Sequence, residues 1–307
     1  MKKGKIVVFG SFVVDLTSWA KHLPVPGETV KGSVFKMGPG GKGSNQGVAA
    51  SRAGADVTLV TKVGNDVFGK IALDFYQNEH MTTDFVFLDA EKETGTALIM
   101  VDETVGQNQI LVVSGACDNI TPAEVQRTHQ LIDEADIVLL QLEVNMDAIE
   151  QVIDYAHAKG KQIVLNTAPA RKLPESLLKK LDIVTPNEIE AGILTDTKVE
   201  TAEDAEKAAK ILMNSGVKNV VVTMGKHGVF VMTPDRKEMI PSMPVKAIDT
   251  TGAGDAFNGG FVTALAEGKD IFEAARFGNA VGALSVTKIG TAPAMPHRSD
   301  IDRFLNA

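Results

Sequence analysis

The chain has 307 residues, 44% of them hydrophobic and 23% charged, the make-up of an ordinary globular protein with enough length for one large α/β domain or two smaller ones. Its net charge of −8 argues against a nucleic-acid partner, which needs a clustered basic surface, but leaves room for one nucleotide held by dipoles, a lysine or two and a metal ion. Cys117 is the only cysteine, so there is no disulfide framework and no cysteine zinc site, and no stretch approaches the roughly 18 apolar residues of a membrane span.

In chain order, a basic start leads into the apolar run 6–9, which Gly10, Ser11 and Asp15 interrupt. That reads as a buried first strand of a cytoplasmic protein and not as a signal peptide. Further apolar runs at 57–60, 137–140, 163–165, 183–184 and 220–223 suit parallel strands buried on both faces. Helical patterns lie between or after them at 45–52, 68–78, 123–134, 146–158, 202–214, 256–266 and 271–286, with a short one near Ile301. This alternation predicts βαβ units in one mostly parallel sheet covered by helices.

Three stretches, 28–37, 96–101 and 109–113, have strand composition with no helix between them. They predict a small antiparallel sheet acting as a lid, formed by about 12–36 and 95–113 of a single domain spanning 1–307. Such a lid exposes an edge and apolar residues such as Val34, Phe35 and Ile99, a liability in a monomer.

Gly38, Gly40 and Gly43 spell GxGxxG in the stretch Gly38-Pro-Gly-Gly-Lys-Gly43-Ser-Asn-Gln, which raises a dinucleotide-dependent oxidoreductase. That fingerprint belongs on the first strand-to-helix turn with an acidic residue about 20 positions on. Here the first strand ends at Gly10, and Asp56 comes too early. A P-loop fails too, because Lys36 stands where its first glycine should be and Gly43 where Ser or Thr should bind magnesium. What remains is a loop that lets backbone approach a ligand, with Lys42 as a point charge and Asn45 as a two-sided hydrogen-bonding group.

Asp249-Thr-Thr-Gly-Ala-Gly-Asp255 brackets a glycine turn with two carboxylates, just before an apolar helical pattern. The turn can aim the N–H groups of Ala253 and Gly254 at an anion, because the first amides of a helix lack partners and sit at its positive end. Asp255 beside such an anion can accept a proton. Taken alone, the segment is equally an Asp cap after a glycine loop.

Together, Gly40-Gly-Lys-Gly-Ser-Asn45, Thr185-Pro-Asn-Glu-Ile-Glu190 and Asp249–Asp255 resemble the signatures of the ribokinase (PfkB-type) family of carbohydrate kinases, in order and spacing, over essentially the whole chain. Pro26-Gly-Glu-Thr29, Gln141-Leu-Glu143, Asn166-Thr-Ala-Pro-Ala170 and Val222-Thr-Met-Gly225 add to the likeness. The resemblance implies a three-layer α/β/α fold with a β lid, and ATP-dependent phosphorylation of a pentose at its 5-hydroxyl. It makes Asp255 the general base, with Gly252, Ala253 and Gly254 cradling the transferring phosphoryl group. It assigns the sugar to Asp15, Gly41, Lys42, Asn45 and Glu143, and ATP to Asn187, Thr223, Gly225, Gly228 and Asn279. Mg²⁺ falls to Asn187 and Glu190, largely through water. An activating K⁺ falls to Asp249, Thr251, Ser285, Lys288 and Gly290. Two lids clasping each other imply a homodimer. Another sugar or a nucleoside as substrate, and a non-catalytic sugar sensor, are the competing readings.

One departure stands out. Members of the family that phosphorylate ribose usually carry Asn two residues before the sugar-binding Asp, where this chain has Val13. Those that phosphorylate deoxyribose resemble this chain in having an apolar residue there. Valine cannot hydrogen-bond, and a hydroxyl buried against it unpaired costs about 1–3 kcal/mol, which predicts 2-deoxy-D-ribose as a good or preferred substrate.

Overall fold

A computed structural model describes residues 3–306; Met1 and Lys2, at the head of the basic N-terminus, and Ala307 lie outside the described residues. The elements run β1 (Lys5–Phe9), β2 (Val13–Ala20), β3 (Val34–Gly40), α1 (Lys42–Ala53), β4 (Asp56–Gly64), α2 (Val67–Asn78), β5 (Val86–Asp89), β6 (Thr94–Asp102) and β7 (Asn108–Gly115). They continue through α3 (Pro122–Arg127), α4 (His129–Glu134), β8 (Ile137–Leu140), α5 (Met146–Ala158), β9 (Gln162–Leu165), α6 (Glu175–Leu178), β10 (Ile183–Val184), α7 (Glu188–Thr195) and α8 (Ala202–Asn214). The last are β11 (Asn219–Thr223), β12 (Val229–Met232), β13 (Lys237–Ile240), α9 (Ala253–Ala266), α10 (Ile271–Ser285) and α11 (Arg298–Leu305).

Nine strands form one sheet in the order β13-β12-β11-β10-β9-β8-β1-β4-β5. Pairing is parallel from β5 to β11, and β12 and β13 add an antiparallel hairpin at one edge. Strand β1 shows why its apolar run is unbroken: Ile6 and Val8 pack into one hydrophobic cluster with α1, α9 and α10, while Val7 and Phe9 pack into another with α5 and α8. Both faces of the sheet are therefore dry, and alternate residues feed opposite layers.

The second sheet, the lid, has the order β3-β2-β6-β7. Its outer pairs are antiparallel, but β2 and β6 pair in parallel, so the expected antiparallel sheet is mixed. The cause is connectivity: β2 and β6 each leave the large sheet in the same direction, after β1 and β5, and each folds back through its own hairpin. The stretch 28–33 expected as strand is irregular, with β3 starting only at Val34. Val34 and Phe35 are exposed as predicted, but Ile99 is half-buried, because it lies on the opposite face of β6 from Leu98 and Met100, which are exposed instead.

The helix expected over 123–134 is two, broken at Thr128. Its buried hydroxyl donates to the Val125 carbonyl (2.7 Å), as does its own N–H (2.9 Å), and the side chain so competes for the helix's own acceptors.

Candidate active site

The parallel strands all end at one edge of the large sheet, and the residues that follow those ends gather there. Ser11 follows β1, Gln141 and Glu143 follow β8, Asn166 follows β9, Thr185 and Asn187 follow β10, and Gly225 follows β11. A crevice beyond the carboxyl ends of parallel strands is where open α/β sheets bind ligands.

Two helix N-termini face this edge. Helix α1 opens at Gly41, which has φ 89° and lies so near the chain at Ser11–Val13 that a Cβ would come within 2.9 Å of backbone atoms. Only glycine allows both. Helix α9 opens at Gly252, in the left-handed conformation at φ 77°. The N–H of Ala253 makes a long bond to the Thr250 carbonyl (3.3 Å). Among the described residues the N–H groups of Gly254 and Asp255 have no partner, so the free pair sits one residue later than the sequence suggested. A Cβ on Gly254 would meet nothing within 4 Å, so there is open space beside this residue.

Asp255 is buried in the first turn of α9. Its two oxygens accept from Asn45 Nδ2 and Gln46 Nε2, each at 2.9 Å. Burial pushes its pKa above the usual carboxylate value, and the Lys42 charge with the Gln46 and Asn45 donors pulls part of the way back. Burial pulls Lys42 down, and the carboxylates of Asp255, Glu143 and Glu190 more than offset that, so Lys42 stays firmly charged. Glu143 accepts from Ser11 Oγ (2.5 Å) and from the Lys42 N–H (2.9 Å), with the Lys42 ammonium 4.0 Å away.

Asp15 lies in β2 opposite Gly38 and Ala97, and Val13 lies opposite Gly40 and Gly95. Two residues apart on a strand, Val13 and Asp15 share one face. The glycines beside them leave that face open: a Cβ on Gly40 would collide with the Asp15 carboxylate, and one on Gly95 would stand 2.9 Å from Val13 Cγ1. Burial raises the Asp15 pKa to about 6, the Thr291 hydroxyl opposes it, and the nearby Glu143 and Asp255 add to it.

Asn187 caps α7 in a reciprocal capping box with Glu190. Asn187 N–H and Nδ2 donate to the two oxygens of Glu190 (2.9 and 3.0 Å), and Glu190 N–H donates to Asn187 Oδ1 (2.8 Å). Burial raises the Glu190 pKa against the Asn187 donor and Lys42. A pair already closed on itself suits a hydrated Mg²⁺, held through water, better than direct ligation. Among the described residues no group of three or more His, Cys, Asp and Glu could hold a metal.

Thr223 bridges to Asn187 and its N–H donates to the Pro186 carbonyl (2.9 Å), so the expected nucleotide residues adjoin the expected magnesium residues. Asn279 Nδ2 donates to the Pro241 carbonyl (2.7 Å), and a Cβ on Gly228 would overlap the Ile240–Pro241 backbone. Gly225 lies in the turn between β11 and β12, closing that group.

The Asp249 carboxylate ties together the two loops expected to hold a cation, accepting from Thr251 N–H (3.0 Å) and Gly290 N–H (2.9 Å). The N–H groups of Ile248 and Asp249 donate to the Val286 carbonyl, and Lys288 N–H to the Ser285 carbonyl. Ser285 turns its hydroxyl back to the Gly282 carbonyl (2.8 Å). The Asp249 carboxylate thus holds the 249–251 and 288–290 loops side by side.

Several residues given no role by the sequence stand in this constellation. Gln46, Gln141, Asn166, Thr185 and Asn258 form a buried hydrogen-bonded network behind Asp255. Thr291 Oγ1 contacts both Asp15 Oδ2 (3.4 Å) and the Pro39 carbonyl (3.2 Å). Gln46, Gln141, Asn166 and Thr185 sit inside the motifs quoted above or beside them; Thr291 carries no local signal.

Residues 3–298 match the profile of the pfkB family of carbohydrate kinases. A ribokinase of Bacillus subtilis is 40% identical over 98% of this chain and 99% of its own, and a deoxyribokinase of Salmonella typhi is 35% identical over 98% of each. The structure of Arabidopsis thaliana ribokinase complexed with ribose and ATP superposes with a TM-score of 0.91 at 30% identity, covering 100% of both chains. The chain belongs to the pfkB family of carbohydrate kinases. Within it, the chain is a carbohydrate kinase of the ribokinase type. No helix among the described residues is long and apolar enough to cross a membrane.

Proposed function

We propose that this kinase transfers the γ-phosphoryl group of ATP to the 5-hydroxyl of D-ribose, and that it accepts 2-deoxy-D-ribose at least as well. The observation that carries the reading is the convergence of Asp255, Lys42, Asn45 and Glu143 in front of unpaired amides at the start of α9. The sugar lies against Asp15, Gly41, Lys42, Asn45 and Glu143, whose carboxylates each accept from hydroxyls. Asp255 takes the proton of the 5-hydroxyl as its oxygen bonds to the γ-phosphorus; the bond from that phosphorus to the β,γ-bridging oxygen breaks, and ADP leaves. The transition state is loose, so positioning and neutralised charge do most of the work. The turn Gly252-Ala253-Gly254 cradles the phosphoryl group, with the free amides of Gly254 and Asp255 receiving its oxygens.

Asn187, Thr223, Gly225, Gly228 and Asn279 frame the nucleotide. Mg²⁺, when bound, neutralises the nucleotide phosphates, with Asn187 and Glu190 ordering its waters. Asp249, the carbonyls of Thr251, Lys288 and Gly290, and Ser285 would hold K⁺ beside the amides. The lid covers the sugar, and two copies pair through it; its edge strand β7 leaves Ile110, Leu111, Val112 and Val113 exposed. The preference for deoxyribose rests on Val13, which offers no partner to a ribose hydroxyl on the face shared with Asp15.

The reading is tested by ADP release with ribose, 2-deoxyribose, a ketohexose and a nucleoside, with and without Mg²⁺ and K⁺. Asp255→Asn should lower kcat by about 10²–10⁴-fold while sugar binding persists. Sugar binding without sugar-dependent ADP release in the wild type would leave a sensor, and would refute the kinase. The oxidoreductase reading has lost its footing, since Gly38 and Gly40 lie in β3 of the lid and not after the first strand of the large sheet.

A further inference from the structure

Behind Asp255 the hydrogen bonds have only one consistent direction. The carboxylate can only accept, so Gln46 must turn its NH₂ toward it (2.9 Å). The same Nε2 donates to Asn166 Oδ1 (2.9 Å), which forces the Asn166 NH₂ toward the Thr185 carbonyl (2.8 Å), again acceptor-only. Gln46 Oε1 then faces Gln141, whose Nε2 donates to it (2.7 Å). Thr185 Oγ1 donates to Asn258 Oδ1 (2.6 Å), and Asn258 Nδ2 to the Gly254 carbonyl (2.9 Å), one residue before Asp255. The circuit is closed, and the side chains of Gln46, Gln141, Asn166, Thr185, Asp255 and Asn258 are all buried.

We propose that Gln46 is the positioning residue of the general base: its amide fixes the plane of the Asp255 carboxylate and holds it ionised, and the chain it heads locks the base to the loop bearing Asn187. This rests on the kinase reading above. With Asn45 on one oxygen and Gln46 on the other, the carboxylate cannot rotate. The charged groups facing it are Lys42 from α1, Glu143 after β8, Glu190 from α7 and Asp15 from β2. Three of the four are acidic and oppose ionisation, so the Lys42 charge and the amide donors of Gln46 and Asn45 together favour the ionised base. Gln141 supports the assignment. Its Oε1 is buried without a partner, so the side chain earns its place through the Nε2 that orients Gln46.

The experiment is the pH dependence of kcat for sugar-dependent ADP release in the wild type, Gln46→Glu and Gln141→Met, with sugar KM and Tm measured alongside. Gln46→Glu sets two carboxylates against each other and makes Asn166 donate in the wrong direction. Its acid limb should rise by about one pH unit or more. At pH 7 its kcat should fall by on the order of 10²-fold, with sugar KM within about threefold of wild type. Gln141→Met removes an unpaired acceptor, keeps the volume, and should move the limb the same way by a smaller amount. A role in packing alone would lower Tm without moving the limb. If Gln46→Glu fails to fold, Gln141→Met decides. An unmoved limb in the folded variants, beside an active wild type, overturns this proposal alone; a wild type that releases no ADP overturns the kinase reading and this one with it.

Discussion

Val13→Asn puts an amide where the lid's inner face has a methyl-bearing side chain. Val13 is 5% exposed and sits between Gly40 and Gly95, two residues from Asp15 on the same face. A ribose hydroxyl against Val13 goes unpaired at a cost of about 1–3 kcal/mol, while 2-deoxyribose presents no such group. Since 1.4 kcal/mol is a factor of ten, the substitution should raise the ratio of kcat/KM for ribose over 2-deoxyribose by about 5- to 150-fold. The glycines on either side carry no side chain to clash with the amide. In the sugar-free protein that amide is itself short of partners, so Tm should fall by a few degrees. Initial rates of ADP release with both sugars at saturating ATP give the ratio directly. A wild type that strongly favours ribose, with a ratio unchanged in Val13→Asn, would refute the reasoning.

Asp15, raised from an ordinary 3.8 to about 6 by burial, binds its proton more tightly folded than unfolded. Its ionisation therefore works against folding: stability declines as pH rises from about 4 to about 6, by at most on the order of 3 kcal/mol before solvent screening. Thermal melts across that range should show a slope that Asp15→Asn removes, and sugar KM should climb below about pH 6, where the acceptor is lost. Gly254→Ala should stabilise the protein by about 0.5–1 kcal/mol as a helix substitution. Its new methyl would occupy open space in the first turn of α9, and if the phosphoryl group docks at this turn kcat should fall by about tenfold or more; a stabilised variant with full activity would remove the phosphoryl group from this turn. Glu190→Gln keeps an acceptor for the Asn187 N–H but removes the charge, so the Mg²⁺ concentration for half-maximal rate should increase with little change in Tm; an unchanged Mg²⁺ requirement would clear Glu190 of that role.

Most of the helices and the buried strands were legible because their signals are local; the four-residue α6 was not. A run such as Ile6 to Phe9 is apolar throughout because both faces of β1 are covered, and that covering is written into the residues themselves. Lid strand β2 was not, since Val13, Asp15 and Thr17 alternate with Val14, Leu16 and Ser18 without a clean apolar face. Strands β5 and β13, at the two edges of the large sheet, mix charged with apolar residues (Val86–Asp89, Lys237–Ile240), so no unbroken apolar run marks them. The parallel pairing of β2 with β6 spans 82 positions between Val13 and Gly95, beyond any local pattern.

The sequence by itself determined the chemistry on offer: the paired carboxylates around a glycine turn, the lysine loop, the Asn187 and Glu190 spacing, and an apolar Val13 two positions before Asp15. Each depends on residue type and short-range spacing, which folding does not alter. The tertiary structure decided which atoms meet. It gathered five strand ends at one edge, spent the Ala253 amide within the turn and left those of Gly254 and Asp255 free. It also brought Gln46 within hydrogen-bonding distance of a carboxylate 209 residues away. Contacts of that range follow from how layers pack, and no stretch of a few residues carries them.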